Sequence, residues 1–141
     1  MKTHIVAYCT TLVVFVAIDF IWLSTMADLL YRPVMGDMLA PEFRLAPAVV
    51  FYLLYVAGLT FLAVRPGLAS ASIAKAALCG AVLGFTAYAT YDLTNQSTLT
   101  NWSMTLTIAD MVWGTFLSAI ASSAGCAIAR RFGDPARMLR G

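Results

Sequence analysis

The stretch IVAYCTTLVVFVAIDFIWL, residues 5–23, decides the fold of this chain. Only Thr10, Thr11 and Asp19 interrupt its run of apolar residues. About 20 residues at a rise of about 1.5 Å each cross a hydrocarbon core of about 30 Å. The stretch therefore predicts one membrane-spanning helix over residues 5–24.

Three further apolar stretches of similar length follow it. One begins at Pro47, a residue that the first turn of a helix tolerates, and predicts a helix over residues 47–64. The others predict helices over residues 73–94 and 107–129. We therefore predict an all-α fold, a four-helix transmembrane bundle forming a single polytopic membrane domain over residues 1–141.

The composition agrees with this class. The chain has 141 residues, of which 61% are apolar and 11% charged, whereas soluble domains are about 45–50% apolar and about 25% charged. Its net charge is +2. These values exclude a disordered chain and a nucleic-acid-binding module, so the expected partner is the lipid bilayer and not a nucleic acid.

The first stretch has a second interpretation, as a signal peptide cleaved after Ala27. Its apolar run is longer than that of a usual signal peptide, and it contains Asp19 and Trp22. Both features favour a spanning helix.

The basic residues orient the bundle. Seven of the nine fall on one side of the predicted membrane: Lys2, Arg65, Lys75, Arg130, Arg131, Arg137 and Arg140. Arg32 and Arg44 fall on the other side. By the positive-inside rule both termini are cytoplasmic, as an even number of spans also requires.

The longest connection, residues 24–46, mixes charged residues with leucine and methionine at helical spacing. This pattern predicts a short amphipathic helix on the outer interface, which Pro33 and Gly36 would break. An irregular loop held by its apolar residues is the alternative.

Three carboxylates fall inside the predicted spans: Asp19, Asp92 and Asp110. Each costs about 2.5–3.5 kcal/mol on insertion scales and therefore needs a partner or a function. With the helices oriented as above, all three lie in the outer third of the bilayer, on three different helices. The sequence therefore predicts a shared polar pocket beneath the outer surface.

Helical spacing indicates which residues accompany the carboxylates. Gly80, Gly84, Tyr88 and Asp92 follow one another at intervals of four, as in a small-residue packing face. A second such face contains Asp110, Gly114, Ser118 and Gly125. The remaining candidates for binding a ligand or exchanging a proton are Tyr52, Tyr55, Tyr91, Asn95, Trp22 and Trp113.

Each carboxylate also has a structural interpretation. Asp92 can end its helix at the interface, and Asp110 can cap the first turn of the fourth helix. Arg32 or Arg44 can fold back as a counter-ion for the cluster.

Asp-x-x-Trp occurs at Asp19 and again at Asp110 on an antiparallel helix, which suits a two-fold axis in the membrane plane.

Other functional motifs are missing from the sequence. Cys9, Cys79 and Cys126 match no metal-binding spacing and are interpreted as small packing groups, and His4 as an interfacial residue. The sequence contains no phosphate-binding loop and no nucleophile elbow. We predict no metal and no cofactor.

Three segments carry a resemblance to a known family: YATYDLTN at residues 88–95, DFIWL at 19–23 and DMVWG at 110–114. With them the chain resembles, over nearly its whole length, a bacterial family of predicted membrane proteins of unknown function. The resemblance implies four helices in the bacterial inner membrane, with the three carboxylates inside the family's motifs. It also implies, through genes that often lie beside fatty-acid-modifying enzymes, a role linked to lipids.

Three functions fit these observations, and the enzyme question stays open. In the first, the outer pocket binds or helps to modify a lipid or other amphiphile, with the carboxylates as polar anchors. The second is a small proton- or cation-coupled exporter acting as a homodimer. The third is a non-catalytic subunit or assembly factor in which the aspartates fix helix register.

Overall fold

The computed structural model describes residues 2–40 and 42–132. Four helices run through these residues: α1 (Lys2–Met38), α2 (Leu45–Ala69), α3 (Ile73–Thr98) and α4 (Met104–Phe132). Each is long and apolar enough to span a membrane, and the described residues contain no strand. The prediction of four spans is confirmed. Arg137 and Arg140, used above for orientation, lie outside the described residues.

Each helix is longer than its predicted span, because helical hydrogen bonding continues past the apolar stretch into polar residues. Antiparallel neighbours place residues 39–40, 42–44 and 99–103 at one end of the bundle, called here the loop end. The opposite end, called the terminal end, carries residues 2 and 132 and the short turn 70–72 between α2 and α3.

Two of the helices contain a π-helical turn, and each turn lies just before an Arg-Pro pair. In α1 the turn Ala27–Tyr31 precedes Arg32 and Pro33, and in α2 the turn Thr60–Val64 precedes Arg65 and Pro66. Proline lacks an N–H, and its ring clashes with the carbonyl four residues earlier. The helix accommodates the proline by including one extra residue in the preceding turn. The N–H of each arginine then bonds to the carbonyl five residues earlier, as in a π-helix.

The amphipathic segment predicted after the first span is therefore a direct continuation of α1. The widened turn carries the helix past Pro33, and a short 3-10 turn, Gly36–Met38, completes it. Gly36 has φ of +49°, a conformation that side chains with a Cβ rarely adopt, and the chain turns there toward α2.

Helix α4 lies at the centre of the bundle, between α1 and α3. The α3–α4 interface is close because a Cβ on Gly84 would collide with the backbone carbonyl of Gly114. A Cβ on Gly80 would likewise collide with Ser118 and Ser122 of α4, and Gly125 of α4 lies against Thr11 of α1. Small residues thus bring three helices together by backbone contact, as is usual in membranes.

Helix α2 is the peripheral member. Its half nearer the terminal end packs on α3 through the π turn and the residues after it, whereas its other half contacts α1. The core reflects this arrangement, since Val56 and Leu59 of α2 pack with Phe15 of α1 and Leu117 of α4. Toward the loop end α2 and α3 diverge, which leaves a gap between them.

Candidate functional site

The three aspartates predicted as pocket residues are all buried near the loop end. Asp92 is fully buried, and Asp19 and Asp110 expose 6% and 7% of their surface. Along α3, Asp92 follows Lys75 by a distance of about 26 Å, and along α4 Asp110 precedes Arg130 by about 30 Å. The carboxylates therefore lie near the far edge of a hydrocarbon core whose opposite edge is marked by the basic residues.

Each oxygen of Asp19 accepts a hydrogen bond from another helix. The hydroxyl of Tyr52 on α2 donates to Oδ2 at 2.7 Å, and Nε1 of Trp113 on α4 donates to Oδ1 at 3.1 Å. These contacts join α1, α2 and α4 through one carboxylate. Asp19 is thus placed as a structural junction.

Asp110 has a related set of partners. The hydroxyl of Tyr31 donates to Oδ1 of Asp110 at 2.6 Å, and the same hydroxyl accepts a hydrogen bond from Nε1 of Trp22 at 3.1 Å. Trp22 stacks face to face on Trp113, with ring centroids 4.2 Å apart and planes 10° from parallel.

The two Asp-x-x-Trp segments are therefore paired crosswise. Trp113 of the second segment bonds directly to Asp19 of the first, and Trp22 of the first reaches Asp110 of the second through Tyr31. The stacked indoles lie between the two carboxylates. This reciprocity fits two antiparallel helices related by a local two-fold axis, although one link is direct and the other passes through a tyrosine.

Asp92 differs from the other two carboxylates. Both of its oxygens are buried, and neither has a hydrogen-bond partner among the described residues. A buried carboxylate without donors requires a proton or a cation to compensate it, and Asp92 is the carboxylate of this cluster with neither oxygen bonded within the described residues.

A cavity of about 310 Å³ opens beside this cluster, in the gap between α2 and α3. Asp110 forms its charged wall, and Phe51 and Tyr91, both more than one-third exposed, form its rim. A cavity of this size, mainly aromatic with one ionic group, is typical of a small-ligand site. The lining residues are Phe51, Tyr55, Ala87, Tyr88, Tyr91 and Asp110.

The other predicted tyrosines lie around the cavity. Tyr55 shares a hydrogen bond of 2.9 Å with the hydroxyl of Ser118, and the ring of Tyr88 lies against Gly114. Tyr91 makes an edge contact with Trp102 of the loop between α3 and α4. Asn95 is half-buried one turn beyond Tyr91 and does not line the cavity.

The two arginines predicted as counter-ions are not brought to the carboxylates. Arg32 forms an ion pair of 3.1 Å with Asp28, one turn earlier on α1, and both side chains are largely exposed. Arg44 is exposed and forms no ion pair within the described part of the chain. An adjacent acid at helical spacing competes better for Arg32 than a cluster buried inside the bundle.

Asp110 does not cap a helix terminus as the sequence allowed. Helix α4 begins at Met104, which places Asp110 in its second turn, and the hydroxyl of Ser103 accepts from the N–H of Thr105. Helix α3 likewise runs on to Thr98, so Asp92 is nearly two turns from its end. Both carboxylates are therefore inside their helices.

Tyr31 is the important site residue that sequence reasoning missed. It lies on the segment interpreted as interfacial, and it reaches Asp110 because the π turn Ala27–Tyr31 rotates the helix. The available signal was Pro33 two residues later, which predicts a distortion in the preceding turn but not its direction.

Within residues 2–40 and 42–132, no three metal-ligating side chains are grouped to hold an ion.

Four spanning helices around a buried polar cluster define a polytopic integral membrane protein. The family described as "Predicted membrane protein (DUF2177)" matches residues 4–127, and the chain belongs to that family. No curated protein and no solved structure matches the chain.

Proposed function

We propose that this protein binds an amphiphile in the cavity between α2 and α3, with the polar group of the ligand at Asp110. The observation that supports this function is the cavity of about 310 Å³, which combines an aromatic lining with one carboxylate. The gap opens toward lipid between Phe51 and Tyr91, so a ligand with a long apolar tail leaves its tail in the bilayer. The proposal concerns binding, with no covalent step.

The charge of the cavity favours a ligand that is cationic or donates hydrogen bonds. Only Oδ1 of Asp110 is occupied within the described residues, which leaves Oδ2 as an acceptor. Aromatic faces attract cations, and the cavity is lined by three tyrosines and a phenylalanine. Asp92 follows Tyr91 of the cavity rim in the sequence and has no donor among the described residues, so a positive group nearby would also compensate its buried carboxylate.

We also propose an orientation and a location. The loop end, with the cavity, faces the periplasm, and the terminal end faces the cytoplasm of a bacterial inner membrane. The distribution of basic residues supports this, because five of the seven described lysines and arginines lie at the terminal end. The cavity then receives its ligand from the outer leaflet.

The two alternatives fit the arrangement less well. An exporter needs access from the terminal end, yet the residues that line the cavity all lie toward the loop end, and two polar side chains nearer the terminal end are bonded within their own helices. Thr11 donates to the carbonyl of Ala7 and Ser123 to that of Ala119. A purely structural subunit accounts for the bonded Asp19, but not for an open cavity or for a buried Asp92 that has no hydrogen-bond partner among the described residues.

The test measures thermal stabilisation of the purified full chain in a maltoside detergent by amphiphiles of equal chain length. A ligand that binds only the folded state raises the unfolding midpoint, and at a given concentration a tighter ligand raises it more. Dodecylamine should raise the midpoint more than dodecanol does, and dodecyl sulfate should not raise it. Ala87→Leu, which fills the cavity without touching a carboxylate, should remove the effect, as should Asp110→Asn.

Asp28→Asn is the matched control, because it removes one negative charge at the same end of the bundle but outside the cavity. Its response to dodecylamine should equal that of the wild type. Equal loss in Asp28→Asn, or an undiminished response in Ala87→Leu, would show that the amine binds by general surface attraction. No stabilisation by any of the three amphiphiles would favour the structural-subunit alternative.

A further inference from the structure

A second cavity, at the opposite end of the molecule, lies between the first turns of α1 and the last turns of α2. Its volume is about 300 Å³, and its character is the reverse of the first, because the charged residue in its lining, Arg65, is basic. It is lined by His4, Tyr8, Ala57, Thr60, Phe61 and Arg65. None of these residues belongs to the aspartate cluster.

Thr60 carries a hydroxyl that is buried and has no hydrogen-bond partner within the described residues. This is unusual in the present bundle, where Thr11, Thr86 and Thr115 each donate to the carbonyl four residues earlier in the same helix. Thr60 is the first residue of the π turn in α2, and its hydroxyl is not bonded in this way. A buried hydroxyl without a partner is costly, so a ligand acceptor at this point would compensate it.

Arg65 holds its guanidinium over the ring of Phe61, with 5.1 Å from the guanidinium carbon to the ring centroid. It has no acidic partner among the described residues. Six of the seven acidic residues of the chain belong to the loop-end half, and the seventh, Asp134, lies outside the described residues. The N–H groups of Arg65 are therefore available to an anion, and His4 supplies a further donor beside them.

We propose that this cavity binds one anionic glycerophospholipid of the leaflet at the terminal end. Arg65 and His4 bind the phosphate, and Thr60, more than one turn deeper along α2, donates to an ester carbonyl of the acyl chains. The acyl chains lie along Ala57 and Phe61, which are exposed to lipid. A free phosphate would use the first pair of contacts but not the buried hydroxyl.

The test uses native mass spectrometry of the purified, delipidated full chain with dioctanoyl phosphatidylglycerol, dioctanoyl phosphatidylcholine and glycerol 3-phosphate. The wild type should bind one phosphatidylglycerol in preference to phosphatidylcholine. Arg65→Gln and Thr60→Val should each weaken this binding by about tenfold. Thr60→Val replaces an unbonded hydroxyl with a methyl of the same size, so folding should be unaffected.

Lys75→Gln is the control, because Lys75 is an exposed basic residue in the first turn of α3 that does not line the cavity. Binding should be unchanged in this variant. Equal weakening in Lys75→Gln and Arg65→Gln, or unchanged binding in both cavity variants, would overturn the proposal. Displacement of the lipid by glycerol 3-phosphate at similar concentration would overturn the assignment to a lipid and identify a soluble phosphate ester instead.

Discussion

Asp19 and Asp92 are buried in the same third of the bundle, yet their surroundings give them opposite roles. Asp19 accepts from Tyr52 and from Trp113, so its charge is compensated by two donors on two helices. Asp92 has no donor at either oxygen within the described residues. Removing a bonded group leaves its partners unsatisfied, whereas neutralising an unbonded one relieves a cost.

The effect of replacing each aspartate by asparagine should therefore differ in sign. Asp19→Asn replaces one carboxylate oxygen by an NH₂ group, which would face the O–H donor of Tyr52 or the N–H donor of Trp113. The lost hydrogen bond should destabilise the fold by about 1–3 kcal/mol. Asp92→Asn should leave stability unchanged or raise it. Thermal unfolding of both variants in the same detergent measures this difference, and equal destabilisation would show that Asp92 has a partner that the structure does not reveal.

The π turn in α1 is the element that assembles the Asp110 half of the cluster. Pro33 prevents regular helical bonding in the preceding turn, and the extra residue in that turn directs Tyr31 toward α4. Without the turn, residues after Met26 would rotate by about 100° on the helix surface for each residue removed. The contact between Tyr31 and Asp110 therefore depends on a proline that touches neither.

Pro33→Ala should allow α1 to become regular and should withdraw Tyr31 from Asp110 and Trp22. Loss of these bonds should lower stability by about 1–3 kcal/mol and change the tryptophan emission. The matched control is Pro47→Ala, in the first turn of α2, where proline disturbs no helical bond. Pro33→Ala and Tyr31→Phe both remove the hydrogen bond between Tyr31 and Asp110, so their effects on stability should be non-additive in a double-mutant cycle. Additive effects would show that Pro33 does not position Tyr31.

The glycine contacts between α3 and α4 support a prediction with an internal control. A Cβ at Gly84 would lie too close to the Gly114 carbonyl and to Ser118, so Gly84→Ala must separate the helices. We expect a loss of about 1–3 kcal/mol. Gly58 of α2 has no atom near its Cβ direction, so Gly58→Ala should be neutral or stabilise the helix by up to about 1 kcal/mol. Thermal unfolding of both variants checks the contrast, and equal losses would contradict it.

The bundle as a whole shows which features a sequence can predict and which require the assembled chain. The hydropathy of a stretch depends only on its own residues, so residues 5–24 and the three later stretches were enough to predict four spans. Spacing by four is also local, and it placed Gly84 and Gly114 on packing faces that the structure brings into contact. The network around the carboxylates joins residues as distant as Tyr31 and Asp110, and no local pattern selects such partners.

The same contrast explains why the ends of the helices and the ion pairs were less predictable. Hydropathy marks where a helix enters water but not where its hydrogen bonding stops. Asp110 was therefore assigned to the first turn of α4, although the helix begins at Met104 and Asp110 lies in its second turn. Arg32 was predicted as a counter-ion of the buried cluster. It pairs with Asp28 instead, because α1 continues as a helix and places these two residues one turn apart. The sequence located the polar cluster and the structure determined its connections.

The last prediction concerns how the whole bundle lies in the membrane, on which the source of both proposed ligands depends. Basic residues crowd the terminal end, and retention of such residues in the cytoplasm orients most bundles. Alkaline phosphatase, active only in the periplasm, should be inactive when fused after residue 141 and active when fused after residue 101. A fluorescent protein that matures in the cytoplasm should give the opposite pattern. Reversal of both reporters would place the aspartate cavity in the inner leaflet and the basic cavity in the outer, so each ligand would then come from the opposite leaflet.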